Sequence, residues 1–499
     1  MSAARVVVIG AGIGGLCAAL SLAARGAEVT LLEKSAAPGG KARRLQVGAH
    51  AIDAGPTVFT MRWVFEELFA ETGFTLDREL ALGAFGLLAR HAWDAGGRLD
   101  LHTDTEGSAT AIAALSGSAE ADRFRAFCER SQRVYDSLER SFMAAPRPSM
   151  PGLIWRAGLR GLPGLLATSP FTSLWRALGE HFHDERLRQL FGRYSTYCGS
   201  SPWLSPSTLM LVAHAEKLGV WSVEGGMQGL AQVLARCAEA RGAHLRFGTG
   251  VAGVEVSGGR ACAVRLEDGE RIAADAIVHA GDVQALADGR LGQGARHAVA
   301  SRPPAMRSLS ALTWCVAARC EGFPLTRHTV FFSADYAREF REILGERRLP
   351  GAPTVYVCAQ SRGDEGIAPP GSEGLLVLVN APAIGDERRF SAEELADCEA
   401  ACFGLLERCG LRISPDASVL TTPADFEALF PGSGGGLYGS ASHGWRSSFT
   451  RPAARSRIPG LYLAGGGVHP GPGVPMVALS GRLAAAAVAE DLRLPALAS

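Results

Sequence analysis

At 499 residues the chain exceeds one simple core and fits two or three intertwined domains of about 100 to 200 residues each. Lysine plus arginine equals aspartate plus glutamate at 50 each, so no global field gathers nucleic acid or an acidic substrate. Hydrophobic residues make up 47% and the mean hydropathy is +0.10, a greasy balance that points to lipid or a lipid-like ligand. Eleven cysteines are scattered without a CxxC pair, so neither a metal site nor a disulfide framework is expected, and a reducing compartment is the natural reading.

The opening reads as a strand (5–9), a glycine turn (10–15), a helix (16–24), a glycine stop at Gly26 and a second strand (28–32) ending on Glu33. This βαβ unit implies a parallel sheet, and it is not the apolar core and cleavage site of a secretory leader. From about Phe65 to Leu218 the pattern becomes mainly helical, with amphipathic stretches at 122–142 and 209–218, as in an inserted cap. Short strands return over 243–279 around the turn Glu267-Asp268-Gly269. Apolar runs at 311–317, 329–332, 354–359 and 375–380 suggest a second, mostly antiparallel sheet. A glycine-rich segment, 461–481, leads into a terminal helix over 482–492. Glycine and proline interrupt the longest uncharged runs, so no transmembrane helix is expected.

Gly10-Ala11-Gly12-Ile13-Gly14-Gly15 fits GxGxxG through Gly10, Gly12 and Gly15. Missing side chains allow the tight turn and let a pyrophosphate reach backbone amides at a helix N-terminus. Glu33 is placed to accept hydrogen bonds from a ribose diol. Strand, helix and acidic residue together mark a dinucleotide site. Pro38-Gly39-Gly40-Lys41-Ala42-Arg43 and Asp53-Ala54-Gly55-Pro56-Thr57 follow, a continuation that an NAD domain does not need.

With these segments the chain resembles the flavin-dependent amine oxidase and phytoene desaturase superfamily. The resemblance implies FAD, with the Gly-Gly-basic stretch along the pyrophosphate and the Asp-x-Gly-Pro stretch near the flavin. Lys41 stands where many members carry arginine, and both Lys41 and Arg43 are open as the phosphate contact. The segment Gly460 to Pro475, which contains Gly465-Gly466-Gly467-Val468-His469-Pro470 and Gly473-Val474-Pro475, is similar to the C-terminal flavin segment of carotenoid desaturases. Asp425 to Gly439 and Phe449-Thr450-Arg451-Pro452 fit the same family. The implied cofactor contacts are Gly10, Gly12, Gly14, Gly15, Glu33, Gly40, Lys41, Arg43, Gly55, Pro56, Thr57, Val251, Gly465, Gly466, Gly473, Val474 and Pro475.

Arg193 to Trp203, His214-Ala215-Glu216 and Gly219 to Met227 are similar to the carotenoid desaturase cap and its return to the flavin domain. Tyr194, Tyr197, Trp203 and Trp221 could line a slot for a polyene or pack an ordinary core. Asp53 to Arg62, Val223-Glu224-Gly225-Gly226-Met227 and Pro472 to Met476 resemble the bacterial 1-hydroxycarotenoid 3,4-desaturases. That branch implies removal of a hydride and a proton from an acyclic carotenoid, with Glu224 as the first and His469 as the second candidate base. Phytoene desaturase, carotenoid cis-trans isomerase and amine or protoporphyrinogen oxidase are the alternatives on the same scaffold.

The expected fold class is α/β: a discontinuous Rossmann-like FAD-binding domain (1–64, 219–300 and 421–499), a mixed-sheet substrate domain (301–420) and a helical membrane-facing cap (65–218). Met143 to Trp175 mixes Leu153, Ile154, Trp155, Leu159, Leu162, Leu165 and Leu166 with Arg147, Arg156 and Arg160, a composition that suits an interfacial segment on anionic lipid. The chain is therefore expected in the cytoplasm, peripheral on the inner membrane face. Its expected partners are a carotenoid substrate and a quinone or oxygen as electron acceptor.

Overall fold

Val6, Val7 and Val8 are buried on both faces, as a central parallel strand requires. In the computed structural model, which describes residues 3–147, 149, 152, 155 and 171–497, this strand, Arg5–Ile9, lies at the middle of a five-stranded sheet. Glu28–Leu32 and then His244–Arg246 extend the sheet on one side; Ala276–His279 and Leu461–Leu463 extend it on the other, all in parallel. The helices Ile13–Ala24, Gly226–Ala240 and Val474–Leu492 bury one sheet face. The antiparallel strands Val251–Ser257, Arg260–Leu266 and Arg271–Ala273 cover the other through Val254, Ala261 and Val264. Segments far apart in sequence thus complete one nucleotide-binding layer.

The terminal helix starts at Val474, eight residues before the sequence-based boundary. Pro475 sits in its first turn, where a missing N–H costs no hydrogen bond; the glycines had masked the helical period.

The second sheet has seven strands in the order Leu411–Thr421, Ser310–Gly322, Glu373–Ala381, Val355–Ala359, His328–Phe332, Leu87–Trp93, Arg98–His102. All neighbours are antiparallel except His328–Phe332 with Leu87–Trp93. Helix Ala392–Arg408 covers one face of this sheet. The last two strands of that order fall within the stretch 65–218, which the sequence reads as mainly helical. Leu87–Trp93 is almost wholly buried on both faces, so it lacks the alternation that betrays a half-buried strand. The helices Ser118–Leu138, Leu174–His181, Glu185–Gly192 and Leu211–Lys217 pack on the second sheet through a cluster in which Phe127 packs at a tilt among Phe182 and Phe191. Leu153, Ile154, Arg156, Leu159, Arg160, Leu162, Leu165 and Leu166 lie outside the described residues; Trp155 and Phe171 are 83% and 73% exposed.

Candidate active site

Gly10 adopts a φ of 102°, a left-handed conformation that favours glycine, and turns the chain out of the first strand into the helix. A Cβ on Gly15 would lie 2.0 Å from the Gly10 carbonyl oxygen, so helix and strand can meet only there without a side chain. A Cβ on Gly12 would meet nothing within 4 Å. Gly12 caps the helix without a side-chain hydrogen bond, and the first turn carries no acid, leaving an open electropositive helix end. Gly39 bridges to Gly12, and Gly40 closes over it. Gly14 faces elsewhere: its Cβ would press on Val477 Cγ1 at 3.1 Å and Gly465 N at 3.2 Å, so it serves the crossing of the first and last helices.

Glu33 is buried, and its carboxylate accepts from Ala11 N at 2.7 Å and Ser35 N at 2.8 Å. Each oxygen keeps a further acceptor position for a ribose hydroxyl. Thr249 N donates to the Glu33 carbonyl at 2.8 Å, which brings Val251 to the same edge two residues later. Lys41 Nζ donates to Leu437 O at 2.7 Å and lies over the Phe430 ring; burial lowers its pKa, opposed by Asp282. Arg43 Nη2 donates to Thr421 Oγ1 at 3.0 Å and stacks on Phe426. Both cations therefore tie the nucleotide layer to the second half of the chain. Gly55 is compulsory, since its Cβ would sit 1.9 Å from the Lys41 carbonyl oxygen.

A cavity of about 380 Å³ opens where three layers meet. Gly55, Pro56 and Thr57 form one wall together with Pro472, Gly473, Val474 and Pro475. The last helix begins there at Gly473, again without a side-chain cap or an acidic first turn. Val330, Tyr356, Leu376 and Leu378 form the sheet wall, and Leu138, Phe142, Leu211 and Val212 the helical wall. Gly465 and Gly466 lie just behind, with Gly465 N donating to Ser480 Oγ at 3.2 Å and Gly466 O accepting from Arg451.

Arg451 is a cavity residue to which sequence reasoning gave no role. Its guanidinium, buried, donates to Gly466 O at 3.0 Å, Ser440 O at 2.8 Å and Ser442 Oγ at 3.3 Å. Burial lowers its pKa to about 10, which leaves it charged at neutral pH. Arg193, Tyr197 and Glu216 lie in the helical wall. Tyr194 OH donates to Glu216 Oε2 at 2.7 Å, and burial raises the Glu216 pKa against the attraction of Arg193. On the sheet wall, Tyr356 OH is shared between Thr57 Oγ1 and His328 Nδ1, each at 2.7 Å.

Both candidate bases are placed elsewhere. Glu224 is exposed and lines an open polar groove with Arg44 and His50, because the turn before Gly225 and Gly226 points it away from the cavity. His469 is buried, but its Nε2 faces the carbonyl oxygens of Phe142 at 3.0 Å and Ala145 at 2.9 Å. That nitrogen must carry a proton to donate, so His469 fastens the glycine loop to the cap. Of the four rings considered for a slot, Tyr197 lines the cavity. Tyr194 packs on Phe191, Trp203 on Trp175 and Trp221 on Phe59.

The flavin-containing amine oxidoreductase family matches the chain over residues 13–489. The chain belongs to this family. Membership makes it a flavin-dependent oxidoreductase, in keeping with the two uncapped helix ends and the glycine cradle. It is 55% identical, over 96% of its length and 92% of the relative's, to a hydroxyneurosporene desaturase of Rubrivivax gelatinosus. A protein of the same name from Cereibacter sphaeroides is 46% identical over 98% of each chain. A 4,4'-diapolycopene oxygenase of Methylomonas sp. is 30% identical over 98% of this chain and 99% of that one. Cyclohexylamine oxidase from Brevibacterium oxydans shares the fold of this family member, with a TM-score of 0.58 at 16% identity, covering 99% of this chain and 100% of the other.

Proposed function

We propose that the chain is an FAD-dependent carotenoid desaturase that removes one hydrogen each from carbons 3 and 4 of a 1-hydroxylated acyclic carotenoid. The observation that carries this reading is the full-length similarity to hydroxyneurosporene desaturases. An apolar cavity against both flavin-type segments supports it, since a polyene needs an apolar slot with few polar groups.

Gly12, Gly40 and Glu33 would hold the adenosine and pyrophosphate half, with the flavin half resting on Gly55-Pro56-Thr57 and the helix start at Gly473 to Pro475. When bound, the flavin supplies the acceptor for a hydride. The chain's own part is to place the carbon skeleton between the sheet wall and the helical wall and to exclude water. Arg451 fixes the loop behind the flavin position by holding Gly466, Ser440 and Ser442 together. Glu216 on the helical wall and His328 on the sheet wall are the titratable groups that would take up the accompanying proton. A quinone or oxygen would serve as the final electron acceptor.

Contact with the inner membrane face follows from the substrate. No helix among the described residues is long and apolar enough to cross a membrane, while Trp155 and Phe171 stand exposed in the segment whose composition suits an interface. Phe142 and Met143, which line the cavity, stand at the start of that segment.

The test is incubation of the flavin-loaded protein with vesicles carrying either a 1-hydroxylated acyclic carotenoid or phytoene. A product two hydrogens lighter and red-shifted, formed from the hydroxylated substrate, is expected. A gain of oxygen would instead place the chain with the oxygenases, and conversion of phytoene with the general desaturases.

A further inference from the structure

The sheet wall of the cavity carries a short polar chain beside the apolar Val330, Leu376 and Leu378. Thr57, on the flavin side, bonds Tyr356, and Tyr356 bonds His328 Nδ1, both at 2.7 Å. The His328 ring stacks against Tyr356 and meets the edge of Phe85. His328 is only 4% exposed, and its Nε2 has no partner among the described residues. A buried nitrogen left unpaired is costly, and because His328 also lines the cavity, a ligand's polar group can complete its bonding. Burial and the nearby Arg327 and Arg193 hold the imidazole neutral at physiological pH.

The position narrows the ligand group. Resting on the desaturase reading above, the substrate's hydroxyl oxygen on carbon 1 is three bonds from carbon 3 and four from carbon 4. With bonds of about 1.5 Å, it lies within about 5 Å of both reacting carbons. Its receptor must therefore adjoin the flavin side of the cavity. The Thr57-Tyr356-His328 chain does so through Thr57, whereas Glu216 is already engaged by Tyr194 on the helical wall.

We propose that His328 Nε2 binds the substrate's terminal hydroxyl, with Tyr356 and Thr57 as positioning residues that fix the ring. A neutral imidazole bonded through Nδ1 is either donor or acceptor at Nε2, and a hydroxyl satisfies both states because it donates and accepts. The same polyene without the hydroxyl leaves the nitrogen buried and unpaired. A site built this way rejects the analogue that lacks the group.

The experiment measures binding and conversion by the holoenzyme, using phosphatidylcholine vesicles that carry the hydroxylated polyene or its non-hydroxylated counterpart. Binding is read from quenching of tryptophan fluorescence, and flavin content from absorbance. Wild type is expected to prefer the hydroxylated polyene by about tenfold or more, and His328→Phe and Tyr356→Phe to bring the ratio towards one. An unchanged ratio in both variants, or no preference in wild type, overturns the proposal. Should His328→Phe lose its flavin, Tyr356→Phe decides. Selective binding without a product two hydrogens lighter would refute the desaturase reading and leave the hydroxyl site standing; conversion with an unaltered ratio would do the reverse.

Discussion

His328 ties acid stability to the cavity wall. Burial, aided by Arg327 and Arg193, lowers its pKa from 6.5 to about 3. Above 6.5 it is neutral in folded and unfolded chains alike, and its contribution to stability is fully present. As pH falls from 6.5 towards 3 the unfolded chain takes up the proton first, so stability is lost at up to about 1.4 kcal/mol per pH unit. Denaturant titrations between pH 7 and 4 should therefore show a smaller loss for His328→Phe than for wild type. An equal loss would mean that the imidazole is not held neutral. Single residues of this kind were the least legible in the sequence. His328 and Tyr356 sit alone in apolar strands, with no spacing to separate them from core residues. Arg451 lay within a recognised phrase, but its three acceptors come from two other loops. Glu224 stood beside a glycine pair in a familiar phrase, and only the turn geometry reveals that it faces a different groove.

Among the elements, the crossing of the first and last helices is the most constrained. A Cβ on Gly481 would lie 2.2 Å from the Gly14 carbonyl oxygen and 3.0 Å from Cys17 Cβ. Gly481→Ala must push apart two helices whose N-termini both face the proposed cofactor site. Overpacking of this type costs about 1–3 kcal/mol, and the variant is expected to show a lower denaturation midpoint together with weaker FAD retention on gel filtration. The glycine turn and its helix were legible because a dinucleotide turn dictates residue type at each step. The strand Leu411–Thr421 was missed because it is an edge strand with an exposed polar face. Pro415 falls there at a register shift against Ala318, where a missing N–H is tolerated. Helix Ala392–Arg408 did carry a signal: the Ser391 and Glu394 capping box is readable as S-x-x-E ahead of an apolar period.

For the whole molecule, the proposed lipid contact rests on aromatic side chains rather than on net charge, which is zero. Replacing both Trp155 and Phe171 with serine removes two exposed anchors, each contributing up to about 1.5–3 kcal/mol if fully buried in lipid. Co-sedimentation with vesicles should fall by tenfold or more; unchanged sedimentation would place the contact on another face. The division into a nucleotide layer, a second sheet and intervening helices was legible in outline from the alternation of periods. The cavity was not, because its walls come from segments hundreds of residues apart.

The same interleaving governs how the chain is made. Ile13–Ala24 leaves the ribosome long before Val474–Leu492, the helix that packs across it. At about 5–20 residues per second, roughly 20–90 s separate the two. For that interval Cys17 and Gly14 have no covering helix, and the sheet lacks its edge strand Leu461–Leu463. The early helix is enclosed only when the late one arrives, so the flavin site is complete only once Val474–Leu492 has been made.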